Sequence, residues 1–98
     1  MASSRLPDNI SLLPSASKDL ARILKRNRAE FARVWDDLIR LGTGTLPPQG
    51  KKKLHTVDAF QFDSGRYRIV YSRQADTYTI WAVFAKPDQR DYLRRFRA

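Results

Sequence analysis

Arginine alternates with aromatic and aliphatic residues along residues 66–71. Because successive side chains of a β-strand point to opposite faces, this alternation predicts a strand that buries Tyr67, Ile69 and Tyr71. Arg66 and Arg68 then share the other face, which is left free to meet an anion. The planar guanidinium group binds phosphate or carboxylate oxygens through two parallel hydrogen bonds, so this face is the first candidate for a functional surface.

Lysine residues provide two further candidates for contact with an anion. Lys86 directly follows a predicted strand at 77–85, and at the end of that strand its ammonium group can bind a phosphate. The run Lys51, Lys52 and Lys53 precedes the hairpin and is predicted to form a solvated basic loop. Such a loop adds non-specific affinity for nucleic acid.

Structural interpretations compete with the functional ones at several of these positions. Arg68 can pair with Asp63 across the predicted hairpin, in an exposed contact that contributes little to stability. Tyr92 can anchor the C-terminal segment to the core through its ring. His55 is the single histidine and can titrate near neutral pH, but it follows the lysine run and lies away from the arginine and tyrosine motifs. A catalytic role for His55 is therefore not favoured.

The basic charge of the chain is concentrated in its second half. The 98 residues carry a formal net charge of +9, of which residues 1–48 contribute +3 and residues 49–98 contribute +6. A surface of this kind favours a polyanionic partner, either nucleic acid or an acidic protein segment. The sequence contains no cysteine, which excludes disulfides, thiolate metal sites and thiol catalysis, so no metal or cofactor is expected.

Length and hydropathy predict a single domain, residues 1–98, in the cytoplasm. A chain of this size can bury one modest core. No apolar run approaches the roughly twenty residues that span a bilayer. The first residues also lack the apolar segment of a signal peptide.

Apolar periodicity predicts that two helices follow a short strand at residues 9–13. The first helix begins near Ser15, with Asp19 in its first turn, where the helix dipole favours an acid. The second helix begins at a capping box formed by Asn27 and Glu30 and ends at Gly42.

Three more strands are predicted, at residues 59–63, 66–71 and 77–85. Within the last of them, one face is predicted to carry Tyr78, Ile80, Ala82 and Phe84, and the other face Trp81 and Val83. The expected fold class is α+β, a small antiparallel sheet packed against an N-terminal helical hairpin. The element order is β-α-α-β-β-β with a short basic C-terminal segment.

Three stretches of this sequence resemble the RelE/ParE superfamily, the toxins of bacterial toxin–antitoxin pairs. Residues 12–20 are similar to the strand-to-helix entry of that family. Residues 52–71 look like its Lys-Leu segment followed by a hairpin with a Tyr-Arg motif, and residues 80–92 are similar to its last strand and terminal Arg/Tyr element. The order and spacing of the three stretches carry the resemblance, which covers nearly the whole chain.

The resemblance implies two different activities on one fold. RelE-like members are endoribonucleases that cut mRNA in the ribosomal decoding site, whereas ParE-like members inhibit DNA gyrase without cutting anything. Both kinds are silenced by an antitoxin whose segment wraps the toxin. Arg68 matches the arginine of the Tyr-Arg motif and is expected to contact the scissile phosphate. Arg90 and Tyr92 match the terminal element, in which Tyr92 would transfer a proton or stack on a base.

The leading prediction is a toxin that blocks translation by ribosome-dependent mRNA cleavage. The sequence departs from RelE-like nucleases along the strand before the Tyr-Arg hairpin, where it carries Ala59, Gln61 and Asp63 instead of basic residues. It also lacks the glutamate–histidine pair of some members, which leaves Asp58, Asp63 and His55 as the nearby groups that can accept a proton. A non-catalytic gyrase inhibitor and a basic protein-interaction module therefore stay open as alternatives.

Overall fold

The computed structural model describes residues 5–45, 51–53 and 59–94, with the backbone alone at 51–53 and 92–93. Its elements, in chain order, are β1 (Ile10–Leu12), α1 (Pro14–Arg26), α2 (Arg28–Thr43), β2 (Lys51–Lys53), β3 (Phe60–Ser64), β4 (Tyr67–Gln74), β5 (Thr77–Ala85), a 3-10 turn (Lys86–Asp88) and α3 (Gln89–Leu93). None of the helices within these ranges is long and apolar enough to cross a membrane.

The strands form one five-stranded sheet in the order β1-β5-β4-β3-β2. Neighbouring strands are antiparallel except β1 and β5, which pair in parallel. The predicted α+β class and helical hairpin are confirmed, but the expectation of an antiparallel sheet was wrong for this pair. The chain between β1 and β5 contains α1, α2 and the strands β2, β3 and β4, and a connection of that length permits parallel pairing.

The lysine run does not form the loop that was predicted for it. Lys51–Lys53 is the edge strand β2, which pairs with β3 in a register that sets Lys52 opposite Gln61. Lysine residues on an edge strand discourage pairing with the strands of other chains, and a lysine run is therefore common at this position in a sheet.

The helical hairpin turns at Asn27, which caps α2. Its side-chain oxygen accepts a hydrogen bond from the Glu30 amide at 3.1 Å, as half of the predicted capping box requires. The reciprocal half is missing, because the Glu30 carboxylate instead accepts a hydrogen bond from the Tyr67 hydroxyl at 2.8 Å. The helix ends at Gly44 with a φ of 79°, and not at Gly42. Gly42 lies inside the helix, where an added Cβ would come within 2.8 Å of the Asn9 side chain.

The start of α1 is held by contacts with β5. No side chain caps α1 at its own N-terminus. Ser15 donates a hydrogen bond from its hydroxyl to the Trp81 carbonyl at 2.7 Å, and the Val83 amide donates to the Asp19 carboxylate at 3.0 Å. The predicted roles of Ser15 as a cap and Asp19 as a dipole partner were wrong. Both residues instead form hydrogen bonds with backbone groups of β5, in the part of that strand that does not pair with β1.

The main core lies between the helical hairpin and one face of the sheet. Its fully buried members include Val34 and Leu38 from α2 and Ile69 from β4. Tyr67 and Tyr71 flank Ile69 on the same face, as the alternation of β4 predicted. Burial of a side chain of this size contributes about 1.5–3 kcal/mol, so this face holds most of the hydrophobic stabilisation.

A bulge in β5 rearranges the faces that were predicted for that strand. Tyr71 pairs with Ile80 whereas Val70 pairs with Ala82, so Trp81 is an extra residue in the register between β5 and β4. The alternation therefore shifts by one after Ile80. Tyr78, Ile80 and Val83 face the helices, while a second cluster on the opposite face contains Ala59, Val70, Ala82 and Phe84 with Trp81 packed against it. The prediction that Ala82 and Phe84 share a face with Ile80 was wrong for this reason.

Candidate functional site

A charged cluster lies at one end of the sheet face that is turned away from the helices. β3 and β4 are joined by a two-residue turn, Gly65 and Arg66, which sets Asp63 directly opposite Arg68. Gly65 has a φ of 60°, a conformation that other residues rarely adopt, so glycine fixes the turn and hence the register. Since residues directly opposite in an antiparallel pair share a face, the two side chains are brought together.

Arg68 uses all three of its guanidinium nitrogens in contacts within the chain. Its Nε donates to Asp63 Oδ1 at 2.8 Å, and its Nη2 donates to Asp63 Oδ2 at 3.4 Å. Its Nη1 donates to the side-chain oxygen of Gln89, at the start of α3. The pairing of Arg68 with Asp63, considered from sequence as a structural alternative, is present.

Lys86 joins the same cluster from the end of β5. Its ammonium nitrogen lies 3.3 Å from Asp63 Oδ2, so one carboxylate bridges the two cations. The hydrogen bond from Arg68, and after it the one from Lys86, holds the pKa of Asp63 below its ordinary value against the opposing effect of burial. Asp63 is therefore an ionised acid near neutral pH and a weak base.

The cluster of Arg68, Lys86 and Asp63 carries a formal charge of +1 and is open to solvent. The side chains of Lys86 and Asp63 are 41% and 45% exposed, whereas that of Arg68 is 22% exposed. Such a group can bind an anion and stabilise negative charge that develops on it. Proton transfer would need another residue, because Asp63 is held ionised. Asp58 and His55, the other acceptors considered from sequence, lie outside the described residues.

Arg66 does not share a surface with Arg68, contrary to the prediction from alternation. Arg66 lies in the turn before β4 begins, so the strand periodicity does not apply to it. Its Nη1 is 3.9 Å from Glu30 Oε2, and its guanidinium carbon is 5.8 Å from the centre of the Tyr67 ring. Burial, followed by the hydrogen bond to Glu30, raises the pKa of the Tyr67 hydroxyl. Arg66 therefore belongs to a separate group on the helix side of the sheet.

The remaining predicted residues lie on two other elements. Arg90 and Tyr92 belong to α3, and Arg90 is exposed. Because Gln89 begins α3 and contacts Arg68, this helix starts beside the charged cluster. Lys51, Lys52 and Lys53 form β2, which is separated from β4 by β3. The structure thus brings Arg68 and Lys86 together and places Arg90 on an adjoining element.

Sequence reasoning missed one residue that contacts the cluster and one contact within it. Gln89 carried no signal, because an amide directly after a 3-10 turn has no characteristic spacing. The bridge from Asp63 to Lys86 was also missed, although both residues were singled out. Lys86 follows β5 directly, and the antiparallel register sets Ala85 opposite Tyr67, so the end of β5 lies beside the hairpin turn.

A cleft of about 120 Å³ lies away from this cluster, between α1 and the end of β5. Its lining includes Arg22, Arg26, Tyr67 and Asp88. A small-molecule site is usually larger, about 300–1,000 Å³. Any large polyanion that binds the charged cluster would therefore lie on the open surface of the sheet.

Solved toxin structures share this fold. The chain matches a YoeB–YefM toxin–antitoxin complex from Staphylococcus aureus with a TM-score of 0.66 and 20% identity, over 83% of this chain and 97% of that one. It matches a YafQ mutant from Escherichia coli with a TM-score of 0.66 and 14% identity, over 85% and 98%. It matches the toxin–antitoxin complex RelBE2 from Mycobacterium tuberculosis with a TM-score of 0.58 and 23% identity, over 83% and 100%.

The similar structures identify the fold, whereas the sequence comparisons match no family. No protein-family model matches the chain, and neither does any curated protein. The chain has the fold of RelE/YoeB-type toxins, and the resemblance to the RelE/ParE superfamily is confirmed at the level of the fold. In this chain the antiparallel register sets Ala85, at the end of β5, opposite Tyr67.

Proposed function

We propose that this protein is the toxin of a bacterial toxin–antitoxin pair that inhibits translation in the cytoplasm by ribosome-dependent cleavage of mRNA. The observation that carries the proposal is the pair of solvent-accessible cations, the exposed Lys86 and the partly exposed Arg68, on a RelE-like fold. Arg68 is the residue that the resemblance aligns with the arginine of the Tyr-Arg motif. The formal net charge of +9 supports a polyanionic substrate.

The proposed reaction is attack of a ribose 2′-hydroxyl on the adjacent phosphate. The attack forms an O2′–P bond, breaks the P–O5′ bond and leaves a 2′,3′-cyclic phosphate. The 2′-hydroxyl loses its proton to water, and the departing 5′-oxygen takes up a proton from Tyr92 or from water. Arg68 and Lys86 would bind the non-bridging oxygens and stabilise the dianionic phosphorane, a role that preorganised charges fill well. Arg90 and Tyr92 on the adjoining α3 would contact the same strand of RNA, with Tyr92 transferring a proton or stacking on a base.

An antitoxin is the proposed protein partner. Two of the matched structures are toxin–antitoxin complexes, YoeB–YefM and RelBE2. Among the described residues, α1 presents Lys18, Lys25 and Arg26 as exposed cations, and Arg68 and Lys86 lie on the opposite face of the sheet. An acidic segment that wraps the molecule would meet positive charge on both sides, and the association would be fast and sensitive to salt.

Primer extension on mRNA from expressing cells tests the nuclease proposal. New 5′ ends are expected within translated codons, and Arg68→Ala should lower their yield by about a hundredfold or more, the usual cost of losing one preorganised charge donor. Arg73→Ala is the matched control, because Arg73 lies on the same strand but donates to the Ala75 carbonyl, in the turn between β4 and β5. Growth arrest with intact mRNA, unchanged by Arg68→Ala, would contradict the proposal.

Inhibition of DNA gyrase is the second candidate function. It is favoured by the state of Asp63, which is ionised between two cations and leaves the charged cluster without a base. Purified protein would then block supercoiling by gyrase in vitro, and expression would induce the DNA-damage response. Unchanged supercoiling at excess protein excludes this function. Harmless expression without an antitoxin would favour a basic protein-interaction module over both mRNA cleavage and gyrase inhibition.

A further inference from the structure

We propose that the Asp63 carboxylate competes with phosphate for binding to Arg68 and Lys86. A single phosphate binds these two cations too weakly to displace the carboxylate. The proposal rests on the proposed function, since it takes these two cations as the phosphate contacts. It assigns to Asp63 the role of selecting for extended, multiply charged strands over small anions.

The geometry of the Asp63 carboxylate is that of a bound anion. Its two oxygens receive the Nε and Nη2 donors of Arg68, at 2.8 and 3.4 Å, in the paired arrangement that a phosphate would use. One of them also lies 3.3 Å from the Lys86 ammonium. A phosphate that takes the same paired donors of Arg68 must therefore displace this carboxylate.

Gln89 contacts the third guanidinium nitrogen of Arg68. Its side-chain oxygen accepts a hydrogen bond from Nη1, the nitrogen that does not contact Asp63, from the side of α3. An incoming phosphate that takes these same donors would break contacts with two different elements. Because Gln89 is neutral, its displacement changes hydrogen bonding without changing the charge of the cluster.

A polyanion can displace the Asp63 carboxylate from the two cations. Exposed ion pairs contribute little to stability, and Asp63 is nearly half exposed, so its contacts yield to a stronger ligand. A tethered group nevertheless acts at a high effective concentration, on the order of millimolar, which a weakly held single phosphate does not match. A strand of RNA gains additional attraction from the other cations of this basic surface, and that gain offsets the displacement.

Fluorescence anisotropy with a short labelled oligouridylate measures the competition directly. Asp63→Asn should tighten binding by up to about fivefold, the equilibrium equivalent of an exposed ion pair. The slope of log K against log salt should steepen by about 0.7, the value for one more phosphate on a single strand. Asp76→Asn is the matched control, with the same change of charge at the exposed turn between β4 and β5, at the opposite end of the hairpin, and it should leave both quantities nearly unchanged.

Inorganic phosphate provides the second probe. It should fail to compete with the oligonucleotide on the natural chain and should compete measurably on Asp63→Asn. Gln89→Ala should give a smaller gain in affinity for the oligonucleotide without a change in the salt slope, and it serves as a second variant if Asp63→Asn does not fold. Equal RNA binding by folded Asp63→Asn would overturn the proposal, and weaker binding would overturn it in favour of a role for Asp63 in positioning the two cations.

The double variant Asp63→Asn with Arg68→Ala separates this inference from the proposed function. Loss of the gain in the double variant is expected if the gain comes through Arg68. A gain that persists undiminished without Arg68 would show that Asp63 does not compete for that guanidinium group, and it would overturn the internal competition. If Asp63→Asn changes nothing while Arg68→Ala still abolishes mRNA cleavage, the internal competition is wrong and the nuclease proposal stands.

Discussion

The two faces of strand β4 stabilise the molecule by different means. Towards the helices, Tyr67, Ile69 and Tyr71 are almost completely buried, and the Tyr67 hydroxyl is bonded to Glu30 on α2. Towards the opposite side at the end of the strand, Arg68 is partly exposed and meets Asp63. The first face gains free energy from removing apolar surface from water, whereas the charges of the second gain little from each other.

This difference separates the part of the strand that folds the chain from the part that is available for binding. Charges that contribute little to stability can exchange partners without unfolding the protein. The buried face has no such freedom, because a buried polar group on that side of the sheet must keep its partner, as Ser64 of the neighbouring β3 does with Asp37 at 2.6 Å. One strand therefore supplies a fixed scaffold and a set of exchangeable contacts.

Truncation of Leu38 is expected to have the largest effect on stability. Leu38 is fully buried on the side of α2 that faces the core, so Leu38→Ala should lower the free energy of unfolding by about 2–5 kcal/mol through lost burial and a cavity. Arg68→Ala on the open face should cost less than about 1 kcal/mol. Urea unfolding measures both. Equal losses in the two variants would break the distinction between the faces.

Asp19 and Asp63 compare one side chain in two environments. Asp19 is buried and accepts the Val83 amide, so Asp19→Ala leaves that amide without its acceptor and should cost about 1.5–3 kcal/mol. Asp63→Ala removes an exposed carboxylate and should cost less than about 1 kcal/mol. Thermal unfolding near neutral pH compares the two variants. A larger loss for Asp63→Ala would mean that the charged cluster stabilises the fold.

The titration of Tyr71 makes the free energy of unfolding depend on pH through the buried face of β4. Burial, and next the neighbouring Tyr78, raises the pKa of Tyr71 to about 12 from the ordinary 10.0. The unfolded chain releases this proton first, so the contribution is fully present below about pH 10 and is lost as the pH rises towards 12, by up to about 1.4 kcal/mol per pH unit.

Tyr71→Phe keeps the ring and removes this titration. The loss of unfolding free energy between about pH 9 and about pH 11 should be smaller in the variant than in the natural chain, as measured by urea unfolding at each pH. Parallel pH profiles for the two proteins would show that Tyr71 ionises as readily in the folded state as in the unfolded one.

Local patterns in the sequence were enough to predict most of the fold. The alternation along β4 identified its buried face, because only short-range backbone geometry decides which side chains share a face. The cap at Asn27 was found for the same reason, since donor and acceptor lie three residues apart. Asp19 was misjudged because its partner, Val83, lies on a distant strand, and sequence spacing carries no information about that contact.

The predictions for β5 failed at a feature that the residue types conceal. Ile80, Trp81 and Ala82 are all apolar, so the bulge at Trp81 leaves no break in the hydrophobic pattern. At the charged cluster, the pairing of Asp63 with Arg68 could be inferred from a two-residue turn. The contact of Gln89 with Arg68 could not, because it depends on how the chain turns after β5.

The contacts of Ser15 and Asp19 with β5 also bear on which other chains can join this sheet. An uncovered strand edge is a template for a further strand, and long exposed edges promote aggregation. β1 covers β5 over three residues only. Beyond it, the Trp81 carbonyl and the Val83 amide are already bonded to side chains of α1. A foreign strand would have to displace a buried carboxylate to extend the sheet there, so this edge resists polymerisation without being covered by another strand.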